Sequence, residues 1–313
     1  MNSDSLIYKV VRAYYEKGMT QQAIANRYGI SRIKVSRLLA KAQKEKIVQI
    51  KIIEPDNPYI ELEHELEEKY QLDELIIVEN PDRNTEDWIS RAGFAAAEYL
   101  TSVITGNEII GLTWGRSLLS LVDNLPLQHY PDLKVVQMLG GLGQPQSGSH
   151  GADLTRRMAQ SFGTRPWLIH SPGIVKNSKI CKELKNDIQV KDTLNMAVNA
   201  DIAIVGIGLF DKDSQLIRDN NILSAEEFDQ IKKAGAVGDI SLRFFNNKGE
   251  FISTPLDDRV VGISSDELRA IPRIIGIAGG DEKYEVLRAA VKAKLVNVLI
   301  TDNITAQKLL NEN

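Results

Sequence analysis

The hydrophobic positions follow two kinds of pattern, and the change from one to the other divides the chain. Over residues 5–17, SLIYKVVRAYYEK, Leu6, Ile7, Val10, Val11 and Tyr14 recur at helical spacing, and Gly18 ends the run. Residues 20–46, TQQAIANRYGISRIKVSRLLAKAQKEK, hold two further helical runs on either side of Gly29. Thr20 and Ser31 stand where a hydroxyl accepts an orphan N–H at a helix start. Gly29 supplies the turn, because a positive φ costs little without a Cβ. Ile24, Ala25, Tyr28, Ile30, Val35, Leu38 and Leu39 are the inward positions. The pattern predicts three helices, the second and third forming a helix-turn-helix. Residues 47–53, IVQIKII, alternate like a short strand, and EPDNP at 54–58 breaks the chain with two prolines. The domain boundary is placed there, giving units over 1–53 and 54–313.

Beyond the break, the pattern changes. Residues 59–70 predict an acidic helix with Ile60, Leu62, Leu66 and Tyr70 on its apolar side, either a dimerising helix or the outer helix of the second domain. Strands are expected over 72–79, 108–114, 133–139, 165–171, 201–208, 271–280 and 295–301. Helices are expected over 90–104, 116–125, 152–162, 178–185 and 187–199, with one more after each of the last two strands. The strands read as apolar runs, as strands buried on both faces do. The fold class is therefore α/β, with a parallel, Rossmann-like sheet covered by helices on both sides.

Charge sharpens this division. Residues 1–51 hold eleven Lys/Arg and three Asp/Glu, a net +8, whereas the remainder holds 27 and 39, a net −12. A basic arm on an acidic body suits a polyanion met by one domain only. In the helix-turn-helix reading, Thr20 and Gln21 open the first helix of the motif and are candidate DNA contacts. Ser31, Arg32, Lys34, Ser36, Arg37 and Lys41 form the outward face of the second, where side chains reach base edges and phosphates of double-stranded DNA. The competing reading is an amphipathic helix pair with a solvated basic face.

Other chemistry is excluded or unsupported. No apolar run approaches the roughly 20 residues that span a bilayer, so no membrane partner is expected. The N-terminus lacks a signal-peptide core. The single cysteine, Cys181, excludes an intrachain disulfide and a Cys-rich zinc site, and the four histidines have no ligand spacing. A cytoplasmic location fits. No metal and no cofactor is implied.

Five glycine-bearing stretches follow predicted strands, where open α/β sheets bind ligands. The first is Thr113-Trp114-Gly115-Arg116-Ser117, running into a helix whose free N–H groups, with Arg116 and the Ser117 hydroxyl, suit a phosphate or sugar hydroxyl. It is neither a Walker A loop nor GxGxxG. The others are Gly140-Gly141, GIGLF at 206–210, GAVGDI at 235–240 and AGGDEK at 278–283. Asp239 can accept from sugar hydroxyls, and Lys283 can reach an anion. Taken singly, such a glycine is there to make the turn; five on one sheet favour a pocket.

In combination and order, GMTQQAIANRYGISRIKVSRLL (18–39), IIGLTWGRSL (109–118), DIAIVGIG (201–208), AVGDI with Arg243 and Phe244 (236–244), and GIAGGDEK with NVLITD (276–302) resemble the SorC family of sugar-responsive bacterial transcriptional regulators. The likeness runs from about Tyr8 to Leu310. The Trp-Gly-Arg form of the first loop is most similar to the sorbose-operon branch. The resemblance implies an effector domain with the fold of sugar-phosphate isomerases and deaminases, a sugar or sugar-phosphate effector, and a homo-oligomer, dimer or tetramer. It implies that Gly115–Ser117 and Lys283 hold the phosphate end, that Asp239 holds hydroxyls, and that Gln215 adds a polar contact. The expected function is an operon regulator for carbohydrate catabolism and not an enzyme. The alternative is a phosphosugar isomerase or deaminase, for which Asp239 has no evident acid/base partner.

Overall fold

The structure, a computed structural model, describes residues 3–49, 57–81, 85–142, 150–212 and 223–312. The chain divides into two compact units, 1–57 and 58–313.

The first unit is helical. Helix α1 spans Ser3–Val11, and its last turn widens over Arg12–Glu16, so that the Lys17 N–H reaches back five residues to the Arg12 carbonyl at 3.2 Å. Helix α2 (Gln21–Tyr28) and helix α3 (Arg32–Lys44) follow. Ile7, Val10, Val11, Ile24, Ala25, Val35, Leu39 and Ala42 form the core, with Tyr28, Ile30 and Leu38 half-buried against it. Every inward position expected from periodicity lies on this core. Gln43 Nε2 donates to the Tyr15 hydroxyl at 3.0 Å and ties α3 to the widened turn. Ile47, Val48 and Gln49 are not in a strand, and residues 50–53 of the strand expected over 47–53 lie outside the described residues.

The second unit begins with α4 (Ile60–Tyr70) and β1 (Glu74–Val78), then α5 (Thr85–Val103), β2 (Ile109–Leu112), α6 (Arg116–Asp123), β3 (Lys134–Gln137), α7 (Gly151–Ser161) and β4 (Pro166–Trp167). Helices α8 (Ser178–Asn186) and α9 (Ile188–Val198) lead to β5 (Ile202–Gly206) and β6 (Gly208–Leu209). Then come α10 (Ala225–Lys233), β7 (Ala236–Ile240), β8 (Arg243–Asn246), α11 (Ser265–Arg269), β9 (Arg273–Ile277), α12 (Tyr284–Lys292), β10 (Val298–Asp302) and α13 (Asn303–Leu310).

Seven of these strands form one sheet, in the order β1-β10-β9-β5-β2-β3-β4, with every pair parallel. Alternate side chains go to opposite faces. Ala203, Val205 and Leu299 join α4, α12 and α13 on one side; Ile202, Ile204, Val298 and Ile300 join α5, α6 and α7 on the other. From β2 the chain moves outward to β3 and β4, and from β5 it moves the opposite way to β9 and β10. The reversal between β2 and β5 is the topological switch point, where the loops diverge and leave a crevice.

Two expectations need correction. The strand expected over 165–171 shortens to Pro166–Trp167, because the buried Gln137 side chain takes over the pairing. Its Oε1 accepts from the Ile169 N–H at 3.1 Å, and its Nε2 donates to the Leu139 carbonyl at 2.6 Å. GAVGDI is not a loop after a strand of the main sheet. Its Ala236–Ile240 is itself strand β7, in a second, antiparallel sheet of order β6-β7-β8. That sheet has its own core, in which Phe210 stacks on Phe228 and meets Phe244 edge-on.

Candidate functional sites

In the helical unit, the caps make the motif. Thr20 Oγ1 accepts from the Ala23 N–H, and Ser31 Oγ accepts from the Lys34 N–H, each at 3.2 Å. Gly29 closes α2 at φ +63° and donates to the Ala25 carbonyl. The expected DNA-facing residues Arg32, Lys34, Ser36 and Arg37 are all exposed on α3, together with Lys41; Gln21 is half-buried and Thr20 and Ser31 exposed. The two capping oxygens are engaged as acceptors, and their O–H groups remain as donors for phosphate oxygens. One residue escaped the sequence reading. Ile33, between Arg32 and Lys34, is 66% exposed. The helical period turns Ile33 outward in line with Arg37, and only its apolar character hid it among the basic neighbours. An exposed apolar side chain there matches a thymine methyl.

In the second unit, a cavity of about 720 Å³ opens at the switch point. Thr113, Trp114, Gly115, Arg116 and Ser117 line it from the end of β2, Gly206 from the end of β5, Gly208 from the start of β6, Gly279 and Lys283 from beyond β9, and Asp239 from β7. Seven predicted effector residues, Thr113–Ser117, Asp239 and Lys283, thus meet at one cavity, with three glycines of the predicted loops. Gly115 takes φ +130°, a region open to glycine, and its carbonyl accepts from the Leu119 N–H at the start of α6. The α6 N-terminus, without a side-chain cap, faces the cavity with its positive dipole end. Arg116 is exposed and pairs with Glu86 at 2.5 Å.

Asp239 is buried, and its Oδ2 accepts from the Leu242 N–H at 3.0 Å. Burial pushes its carboxyl up to about 6, opposed by the Leu242 hydrogen bond and the Lys283 charge. Lys283 is half-buried, and its Nζ donates to the Ile207 carbonyl at 3.1 Å. Enclosure lowers the lysine pKa, opposed by the charges of Glu282 and Asp239. An incoming anion would favour the charged amine and so draw these two groups into one response.

The turn that carries Lys283 is set from below. Asp302, fully buried at the end of β10, accepts from the Gly280 N–H at 2.7 Å and from the Ile304 and Thr305 N–H groups at 3.0 and 2.9 Å. An aspartate between a strand and a helix signals a cap; its second bond, to Gly280, could not be read from sequence. Arg243, placed next to AVGDI by resemblance, is buried and structural. It donates to the Ile263 carbonyl at 3.0 and 2.8 Å and pairs with Asp257 at 2.8 Å, fixing β8.

Gly140 and Gly141 do not line this cavity. Their N–H groups donate to the Val261 and Ser171 carbonyls, and a Cβ on Gly140 would stand 2.8 Å from the Ser171 and Pro172 carbonyl oxygens. The glycines there allow backbone to meet backbone. Gln215 lies outside the described residues. Among the described residues, no cluster of His, Cys, Asp and Glu could hold a metal ion, and no helix is long and apolar enough to cross a membrane.

A capped helix-turn-helix joined to a switch-point cavity with an anion-facing helix start defines a ligand-sensing DNA-binding regulator. Comparison with known proteins agrees with that class. Residues 56–311 match the Sugar-bind family of sugar-binding domains, and residues 8–45 match region 4 of sigma-70. The chain belongs to the Sugar-bind family and, with it, to the SorC family of transcriptional regulators. It is 32% identical to the deoxyribonucleoside regulator of Bacillus subtilis, over 98% of this chain and 97% of the relative. It is also 32% identical to the sorbitol operon regulator of Klebsiella pneumoniae, over 99% of both. The crystal structure of the full-length Klebsiella protein superposes with a TM-score of 0.75 at 31% identity, covering 98% of this chain and 99% of that one.

Proposed function

We propose that this protein is a transcriptional regulator of a carbohydrate-catabolism operon whose affinity for double-stranded operator DNA is set by a sugar or sugar phosphate held in the switch-point cavity. Residues 1–53 bind DNA, and residues 54–313 bind the effector and join copies of the chain into a homo-oligomer, which matches a two-fold operator. The observation that carries this reading is the gathering of Gly115–Ser117, Asp239 and Lys283 around one cavity in a chain whose positive charge is concentrated in residues 1–51, net +8 against −12 for the rest. Ser117, Arg116 and Lys283 suit the phosphate end, and Asp239 the hydroxyls. The relatives named for deoxyribonucleosides and for the sorbitol operon support a carbohydrate-derived effector. The ligand acts by binding one arrangement of the subunits better than the other.

Sugars and their phosphates screened by thermal shift test the effector half, since a ligand bound only by the native state raises its melting temperature. A response to a sugar phosphate is expected; a flat response across pentoses, hexoses, hexitols and their phosphates would remove the effector from the account. One feature favours a second reading. The Asp239 carboxyl, raised by burial to about 6, and the half-buried Lys283 amine line one cavity, an arrangement that proton transfer to a phosphosugar also requires. Isomerisation or deamination of any panel member by the purified protein would establish that reading instead.

A further inference from the structure

Among the described residues, seven buried side-chain polar atoms have no hydrogen-bond partner, and two of them belong to residues that line the cavity: Nε1 of Trp88 and Oγ of Ser241. Trp88 is 2% exposed and Ser241 5%. Buried polar groups in native folds are almost always satisfied, so each exception asks for a reason. These two come from unrelated elements, Trp88 from the first turn of α5 and Ser241 from the turn between β7 and β8, yet meet at the same cavity.

The turn that carries Ser241 is strained. Ser241 and Leu242, the two residues between β7 and β8, both take left-handed conformations, at φ +56° and +62°. Two-residue hairpins of this shape favour Asn-Gly, since other side chains pay a steric cost there. The fold holds the turn from both sides. The Leu242 side chain is fully buried among Phe210, Phe228 and Phe244, and its N–H donates to Asp239. The consequence is that a small hydroxyl sits two residues from Asp239 in the cavity wall. Trp88 is fixed against the opposite turn. A Cβ on Gly279 would stand 3.3 Å from its Cζ3, so the six-membered ring of the indole packs on Gly279 and leaves Nε1 on the far edge.

The geometry points to Trp88 and Ser241 as two further effector contacts: the indole N–H donates to an oxygen of the sugar or its phosphate, and the Ser241 hydroxyl bonds a sugar hydroxyl next to Asp239. The assignment rests on the effector reading above. An indole N–H only donates, so its partner must be an acceptor. The pair therefore selects an oxygen-rich ligand, a sugar phosphate or a polyol phosphate, and disfavours an amine at the Trp88 end.

The test uses the opposite behaviour of binding and stability. Trp88→Phe and Ser241→Ala each delete one unpaired polar atom and keep most of the side chain. Because that atom has no partner in the free protein, the melting temperature of Ser241→Ala stays the same or rises; Trp88→Phe also loses buried ring volume, so for it the deciding readout is the affinity. Binding is measured by calorimetry with whichever of ribose 5-phosphate, glucose 6-phosphate, fructose 6-phosphate and sorbitol 6-phosphate most raises the melting temperature of the unmodified protein. Each variant is expected to bind it about tenfold more weakly, the order of one hydrogen bond in a buried site. Unmodified affinity in either variant, or a lower melting temperature with unchanged affinity, would overturn the assignment of that residue. If the unmodified protein binds none of the four and responds to no pentose, hexose, hexitol or phosphate of the wider panel, the effector reading itself fails, and this assignment with it.

Discussion

The two sites of this chain use side chains in opposite ways. On α3 the proposed DNA contacts Arg32, Lys34, Ser36 and Arg37 stand in solvent above a small core that does not need them. Among the proposed effector contacts of the cavity, Asp239, Trp88 and Ser241 are buried and Lys283 half-buried. Asp239 titrates far above its usual range, Lys283 is held below its own, Ser241 sits in a strained turn, and two polar atoms lack partners. The DNA face therefore costs the fold almost nothing, whereas the cavity is a set of local defects that a ligand can relieve. Such defects are how binding sites trade stability for function. Substitutions on the DNA face should change affinity alone. Those in the cavity should separate affinity from stability.

The largest expected effect is at Lys283. Lys283→Met removes a confined cation, so the affinity for a sugar phosphate should fall about a hundredfold, the order of one charge-assisted hydrogen bond or more. The melting temperature should hold or rise. A large loss of melting temperature would place Lys283 among the supports of the fold. On the other face, Arg37→Ala should cost about 1–3 kcal/mol of operator affinity at matched salt, with no change in melting temperature or in sugar-phosphate binding. A variant that binds operator like the unmodified chain would show that α3 docks by a different face.

The next effect is a pH dependence. The Asp239 carboxyl is raised by burial to about 6, so its contribution to stability is complete below the unfolded value near 4 and is lost as pH rises through 6. Asp239→Asn does not titrate. Relative to that variant, the unmodified chain should lose of the order of 2 kcal/mol between pH 4 and pH 7, read from denaturant melts at each pH. A constant difference across that range would mean that Asp239 is not the buried acid described. The smallest effect marks where the comparison has an exception. Ser31→Ala deletes a cap and should cost about 1 kcal/mol of stability, making Ser31 the DNA-side residue whose loss is felt by the fold as well as by the operator. Unchanged stability would show that the cap contributes nothing to α3.

The contrast also explains what could be read from the sequence. The helix-turn-helix is local. Its caps, its Gly29 turn and its inward positions lie within 27 residues, so periodicity and capping chemistry sufficed. Ile33 was missed because a search for base-reading residues favours polar ones. The parallel sheet was legible from its apolar strands, but the cavity is assembled from segments more than a hundred residues apart. Glycines after strands found Gly115, Gly206 and Gly279. The same signal also picked Gly140, whose lack of a side chain serves the contact with residues 171–173. Asp239 was chosen for its chemistry while its strand was mistaken for a loop, because the second sheet has only short strands. Trp88 and Ser241 carry no local mark at all; what distinguishes them is a missing partner, which only the folded chain reveals.

The central claim is that occupancy of the cavity controls the DNA face, and coupling between two sites is a free energy that can be measured from either end. The direct measurement is operator affinity at fixed salt, with and without a saturating sugar phosphate, for the unmodified chain and for Lys283→Met. The account predicts that the ligand changes operator affinity of the unmodified chain by about tenfold or more, within the usual range of such couplings, and leaves Lys283→Met unmoved at the same concentration. Equal operator affinity with and without bound ligand in the unmodified chain, or the same change in both proteins, would contradict it.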